Sequence, residues 1–308
     1  MRLSVIIVNY NSGPYLEQCV ASMAEKFGGL EYEVIIVDNA STDGSITAAV
    51  RADRHTAFLM SETNMGFAAG CNVGADIAIG EFLLFLNPDT RILSDGIGAL
   101  LDSFLADTAA GALGCQNRRP DGSIQSSAYG FPTLFLVFAW AFRLRELLHL
   151  PGIKMLLTPF LKGRFGQFDP HSRPKPVDYV TGAFLLVKRL TWYKTGPFDQ
   201  RFFLFCEEID WCLRCKRAGF NVVFDPSFEI EHYVGYSSQK EKPRVLLEKF
   251  MSYRRYFEKH HPGLQSALLN GIFAVAVRFW ALYYKMNGDK EYANAYKGIK
   301  SRLELDEG

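Results

Sequence analysis

The chain has 308 residues, 48% of them hydrophobic and 22% charged, with a formal net charge of +1. That is enough apolar material for one large α/β domain, or for a domain of about 200 residues with an appendage. A balance so near neutrality excludes a chain built as a whole to bind nucleic acid, so any anionic ligand must be held by local groups. Residues 4–8 and 33–37 are short Val- and Ile-rich runs bounded by Asn, Asp, Ser and Gly, and read as strands covered on both faces. Residues 14–27 between them carry helical spacing (Leu16, Val20, Met23, Ala24), and 45–54 read as a second helix. A strand at 56–60, a helix rich in small residues at 66–79 and a strand at 82–86 complete a β-α-β-α-β-α-β order. This order predicts a doubly wound sheet over about the first 110 residues. Beyond residue 109 the alternation loosens. Strands are expected at 112–116, 123–127, 178–187, 221–225 and 228–232, with a helix at 209–218. Residues 131–162 form an aromatic and basic insertion, 245–261 an amphipathic basic helix, and 264–284 a segment apolar nearly all round. The first eight residues lack a secretory apolar region and a small-residue cleavage site, so the expected location is the cytoplasm. The six cysteines sit in apolar or strand-like runs and are expected to be reduced core residues.

Ligands of open α/β sheets gather beyond the carboxyl ends of the strands. Those ends carry Asn9-Tyr10-Asn11, Asp38-Asn39 and Asn87-Pro88-Asp89. Each offers hydrogen-bonding or acidic groups, and Tyr10 offers a face for a base. The plainer reading is that Asn and Asp cap helices and make turns there. No dinucleotide glycine fingerprint and no P-loop follows the first strand. An acid such as Asp89 about 4 Å from a diphosphate would cost on the order of 4 kcal/mol at an effective dielectric near 20. Mg²⁺ or Mn²⁺ reverses that sign, taking oxygen ligands from one or two carboxylates and from phosphates.

Several stretches resemble family-two glycosyltransferases of the GT-A fold, in their rhamnosyltransferase-like branch. They are Ser4-Val5-Ile6-Ile7-Val8-Asn9-Tyr10-Asn11, Val37-Asp38-Asn39-Ala40-Ser41-Thr42-Asp43-Gly44-Ser45, Asn64-Met65-Gly66-Phe67-Ala68-Ala69-Gly70-Cys71-Asn72 and Leu86-Asn87-Pro88-Asp89. Further along come Gly182-Ala183-Phe184, Phe198-Asp199 and Phe203-Leu204-Phe205-Cys206-Glu207-Glu208-Ile209-Asp210-Trp211. The resemblance implies an α/β fold with a doubly wound mixed sheet, a Rossmann-like nucleotide half at 1–110 and an acceptor half at 111–240. A helical insertion falls at 131–165 and a C-terminal helical appendage at 241–308. It implies that Val8, Asn9, Tyr10 and Asp38 hold the donor base, and that Asn64, Gly66 and Asn87 line the nucleotide side. Asn87-Pro88-Asp89 stands where the family has two aspartates, so Asp89 is the retained metal ligand and one negative charge is missing. His232, 24 residues beyond Glu208, fits the family's histidine ligand.

Inverting transfer needs a carboxylate on the face opposite the departing diphosphate, to take the acceptor hydroxyl proton. The resemblance gives that role to Glu208, one methylene longer than the family's Asp, with Asp210 as its rival. The same acids also suit a helix N-terminus, and Arg214 four residues after Asp210 makes an i,i+4 pair the default for it. Cys212 and Cys215 have C-x-x-C spacing but no second pair for zinc, and are expected to be ordinary thiols. The implied partners are a nucleoside-diphosphate sugar, with dTDP-rhamnose favoured over a UDP-sugar, and a glycan or lipid-linked glycan acceptor. A non-catalytic nucleotide-sugar-binding subunit is the reading of another class. The 264–284 segment leaves three roles open: a peripheral contact at the inner face of the cell membrane, a homo-oligomer contact, or a core cap.

Overall fold

A computed structural model describes residues 1–49, 56–144, 173–233 and 242–305. The chain divides into two compact units. The first comprises Met1–Gly130, Phe168–Phe203 and Glu207–Gln239; the second comprises Phe131–Gln167, Leu204–Cys206 and Lys240–Gly308.

Among the described residues, the first unit is built on a ten-stranded mixed sheet. Strands β1 (Leu3–Asn9), β2 (Tyr32–Asp38), β3 (Thr56–Met60) and β4 (Phe82–Leu86) run parallel, in the order β3-β2-β1-β4. Every residue of β1 and β4 is buried, because helices cover both faces of the sheet. On one face α1 (Tyr15–Lys26) buries Leu16, Cys19, Val20 and Met23 in the same core as Leu3, Val5 and Ile7. On the other lies α3 (Phe67–Ile77), and its small residues have a measurable reason. A Cβ on Gly70 would stand 2.8 Å from Val8, and one on Gly74 2.5 Å from Ile6. Helix α2 (Ser45–Ala49) opens the stretch expected at 45–54, whose remainder lies outside the described residues.

Past β4 the structure departs from the expected pattern. A three-residue strand β5 (Thr90–Ile92) and a helix α4 (Ile97–Ala106) precede β6 (Ala110–Arg118). The expected strand at 123–127 is cut to β7 (Ile124–Gln125), with a separate β8 (Ala128–Tyr129) just beyond it. The expected strand at 178–187 is divided between β10 (Tyr179–Val180) and β11 (Phe184–Lys188), with β9 (Lys175–Val177) before them. Backbone turning through Thr181–Ala183 lets β10 pair with β8 in a separate ribbon while β11 enters the main sheet antiparallel to β4. After α6 (Arg189–Thr195) and α7 (Glu207–Arg217), the two strands expected on either side of Pro226 are one, β12 (Asn221–His232). A register shift between Asp225 and Glu229 absorbs the proline, as bulges do. Beyond β4 the main sheet continues in the order β11-β6-β12-β5.

The described residues of the second unit include four helices, α5 (Leu134–Ala141), α8 (Lys242–His260), α9 (Leu264–Met286) and α10 (Lys290–Leu305). Trp140 packs 4.9 Å from Phe250 and 5.2 Å from Tyr253, tying α5 to α8. Phe250 in turn meets Phe273 of α9 at 4.7 Å. At the end of α5 the guanidinium of Arg143 lies 4.7 Å from the Trp280 ring and donates to the Tyr284 hydroxyl. The rest of the insertion expected at 131–162 lies outside the described residues.

Candidate functional site

The ends of β1 and β2 are tied together by their own polar side chains. Asn9 Nδ2 donates to Asp38 Oδ1 (2.7 Å) and lies 2.9 Å from Ser45 Oγ. Asp38 Oδ2 accepts from the Ser41 amide, and the Asn39 amide reaches Asn9 O at 2.8 Å. Asn11 and Ala40 take positive φ of 51° and 61°, turning both loops sharply. Asn11 Oδ1 then accepts from Thr42 N, and Asp43 Oδ2 from Gly13 N. Val8, Asn9 and Asp38 are buried and Tyr10 is half-buried, with Asn9 and Asp38 joining the ends of β1 and β2. The loop before α3 is fastened to the same edge. Asn64 Oδ1 accepts from Gly66 N, Asn39 Nδ2 donates to Gly66 O, and Phe67 N donates to Phe203 O. Gly66 has φ of 89°, and a Cβ there would stand 2.5 Å from Phe203 O, so glycine is required twice over.

The turn after β4 is held from beneath. Cys19 Sγ donates to Asn87 O, Thr90 Oγ1 donates to the same carbonyl at 2.7 Å, and Asn87 N donates to Ala183 O. Burial pushes the Cys19 thiol up to about 12, so it is an uncharged donor. β5 then pairs antiparallel with the end of β12, with His232 opposite Thr90. That register brings His232 Nε2 to 3.4 Å from Asp89 Oδ1 and 3.5 Å from Asn87 Nδ2. The other ring nitrogen, Nδ1, faces Gln125 Oε1 at 3.3 Å, which selects the tautomer with its proton on Nδ1. An Nε2 lone pair and a carboxylate oxygen then face each other, and a proton or a cation belongs between them. Two neighbouring ligands each about 2.1 Å from one ion lie roughly 3 Å apart, so the pair fits a shared divalent cation. Among the described residues no group of three or more His, Cys, Asp or Glu side chains gathers in this way. A pair of this kind, were it to hold a divalent ion, would leave coordination positions to phosphate and water.

Helix α7 begins two residues before the expected start, so Glu207, Glu208 and Asp210 all lie in its first turn. Their environments differ. Asp210 is fully buried and accepts from Arg214 Nε at 2.8 Å. The remaining guanidinium nitrogens donate to Thr195 O and Pro197 O, so this pair pins the loop after α6. Glu207 is buried with Oε2 lacking a hydrogen-bond partner among the described residues. Burial first, and the charge of Glu208 second, hold its carboxyl well above the usual carboxylate range. Glu208 is half-buried. The helix is seated through Cys212, whose sulfur accepts from the Val180 backbone. Val180 lies three residues before Ala183, the residue that receives Asn87 N. All six cysteines are buried and none is in a disulfide, as expected of core thiols.

Three residues escaped the sequence reading. Gln125 orients His232 from β7, a two-residue strand too short to carry a pattern. Tyr233 follows His232; its amide donates to Asp89 O, and its ring lies 4.5 Å from that of Tyr15. Glu231 accepts from Arg91. The alternation of Glu229, Glu231 and Tyr233 along a strand was the available signal.

Residues 4–156 match the family described as Glycosyl transferase family 2. The N-acetylglucosaminyl-diphospho-decaprenol L-rhamnosyltransferase of Mycobacterium tuberculosis is 29% identical over 279 residues, 85% of each chain. Rhamnosyltransferase WbbL of Escherichia coli is 23% identical over 273 residues, 83% of this chain and 92% of that one. Among solved structures, the mannosyltransferase PcManGT from Pyrobaculum calidifontis, in complex with GDP-Man and Mn²⁺, superposes with a TM-score of 0.54. The alignment covers 99% of this chain and 87% of that one at 17% identity, a likeness of fold. With the GT-A architecture on one side and relatives aligned over most of their length on the other, the chain belongs to glycosyl transferase family 2 and is a glycosyltransferase.

Proposed function

We propose that the protein is an inverting, metal-dependent rhamnosyltransferase. In this reading it moves rhamnose from dTDP-rhamnose to a hydroxyl of a cell-envelope or capsular glycan carried on a lipid diphosphate. The observation that supports the chemistry most directly is the Asp89–His232 pair at 3.4 Å, between the turn after β4 and the end of β12. The rhamnosyl assignment rests on similarity to the mycobacterial and Escherichia coli rhamnosyltransferases, and the lipid-diphosphate acceptor on the former. Asp89 and His232 would hold Mg²⁺ or Mn²⁺, which when bound supplies Lewis-acid charge beside the donor diphosphate. His232 is kept in the ligand tautomer by Gln125. Val8, Asn9, Tyr10, Asp38, Asn64, Gly66 and Asn87 line the nucleotide, with Asn9 and Asp38 also joining the two loop ends. Glu208 takes the proton of the acceptor hydroxyl as its oxygen bonds to the anomeric carbon. The bond from that carbon to the diphosphate breaks with its electron pair leaving on the phosphate oxygen. Asp210 serves as a positioning residue through Arg214.

The test is product mass spectrometry across a donor and acceptor matrix. dTDP-rhamnose and UDP-hexoses are offered with lipid-diphosphate acceptors, with and without EDTA. Rhamnosyl product that vanishes with EDTA and with Asp89→Asn is expected. Turnover only with a UDP-hexose would overturn the donor, and binding without turnover across the whole matrix would replace catalysis with a sugar-nucleotide-binding role.

A further inference from the structure

The near-neutral total hides a sharp division of charge. The second unit holds 18 Lys and Arg against 9 Asp and Glu, a net +9. The first holds 16 against 24, a net −8. In the basic unit, α9 turns an apolar face outward. Leu264, Leu268, Val275, Phe279, Leu282 and Met286 recur at three, four or seven residues and are 49% to 78% exposed. That spacing is one continuous helical stripe on an element about 34 Å long. The opposite face is spent on the core, with Leu269, Phe273, Ala276 and Val277 buried. Arg278 and Lys285, both exposed, border the stripe. The apolar surface extends onto α5, where the exposed Phe138 ring lies tilted 4.8 Å from that of Phe142, and Phe142 lies 6.4 Å from Phe279.

We propose that this face of α9, extended by Phe138, seats the protein on an anionic phospholipid bilayer, with α9 lying flat in the headgroup region. Charge selects this occupant over a second copy of the chain. Apposing two units of +9 is repulsive, whereas an anionic leaflet attracts basic residues beside an inserted apolar face. The helix is long and apolar enough to cross a membrane. It lies on the surface instead, because its inner face is committed to α5, α8 and α10 and because Arg278 would stand in the hydrocarbon. At the surface, Arg278 and Lys285 reach the headgroups while the stripe enters the acyl boundary.

The inference does not depend on the donor or acceptor, and its test needs neither. The full chain is floated with vesicles of phosphatidylcholine, with or without about one-third phosphatidylglycerol, at low and high salt. Sedimentation velocity gives the size of the free protein. Recovery with the anionic vesicles is expected to exceed that with phosphatidylcholine roughly tenfold and to fall with salt. Val275→Glu/Leu282→Glu is expected to cut recovery about tenfold with unchanged circular dichroism, and the milder Phe279→Ser by a smaller factor. Arg278→Gln/Lys285→Gln is expected to weaken the salt dependence. Absence of flotation, or recovery indifferent to the stripe substitutions, would overturn the proposal. So would a stripe variant that splits a dimer while leaving vesicle binding intact.

Discussion

Glu207 and Glu208 are neighbours in the chain with unlike surroundings. Burial keeps the Glu207 proton on well above the ordinary carboxylate range, so the first turn of α7 need not carry two adjacent charges. The stability consequence follows from the sign. A carboxyl raised in the folded state stabilises fully below its unfolded value near 4.5, and that contribution is lost as pH rises toward the folded value. Glu207→Gln is expected to flatten this decline, so its melting temperature should gain on the parent as pH rises from 4.5. Parallel melting curves across pH would contradict the burial argument. Glu208→Gln is expected to lower transfer about 10²- to 10⁴-fold while leaving donor affinity unchanged, read by kinetics beside calorimetric donor titration. At this scale the sequence showed which residue types carry chemistry, but not which are spent internally. Asp210 and Glu208 look alike in the sequence; only packing separates a carboxylate fully buried against Arg214 from a half-buried one.

At the scale of elements, the alternating strands and helices up to β4 were legible because β1, β2 and β4 are long buried apolar runs and the helices between them keep helical spacing. The segments beyond are shorter and shared between partners, and patterns of two or three residues carry no periodicity. β12 shows the converse: Pro226 argued for a break, and the sheet carried the strand through by a bulge. Helix α4 was readable from Ile97, Leu100, Leu101 and Phe104 at i, i+3, i+4 and i+7, and its weak start at Gly96 masked it. The loop before α3 provides a sharper test. Gly66→Ala introduces both a positive-φ penalty and a Cβ driven into Phe203 O, and is expected to cost on the order of 2–4 kcal/mol. Ala40→Gly relieves a φ of 61° and is expected to add about 0.5–1 kcal/mol. Chemical denaturation of both variants checks the pair. Equal stability at Gly66→Ala would mean that the loop can move away from Phe203.

For the whole molecule, ligand linkage gives the broadest measurement. A nucleoside diphosphate at about 100 times its dissociation constant should stabilise the fold by roughly 2.7 kcal/mol. With Asp89 and His232 as cation ligands, the rise in melting temperature is expected with Mn²⁺ present and should shrink with EDTA or in His232→Ala. A metal-indifferent shift would remove the cation from donor binding. Beside its resemblance to family-two glycosyltransferases, what the sequence determined by itself is local: the type and order of the strands and helices up to β4, and which strand ends bear polar groups. Those follow from periodicity and residue chemistry over a few neighbours. What tertiary structure alone decided is adjacency. Asp89 and His232 are 143 residues apart, and they meet because β5 pairs with the end of β12 in a sheet ordered β4-β11-β6-β12-β5. Likewise, a segment apolar nearly all round has one face in a core and the other in solvent only because three helices claim the first. Strand order and helix partners are set by long-range burial, which no local spacing encodes.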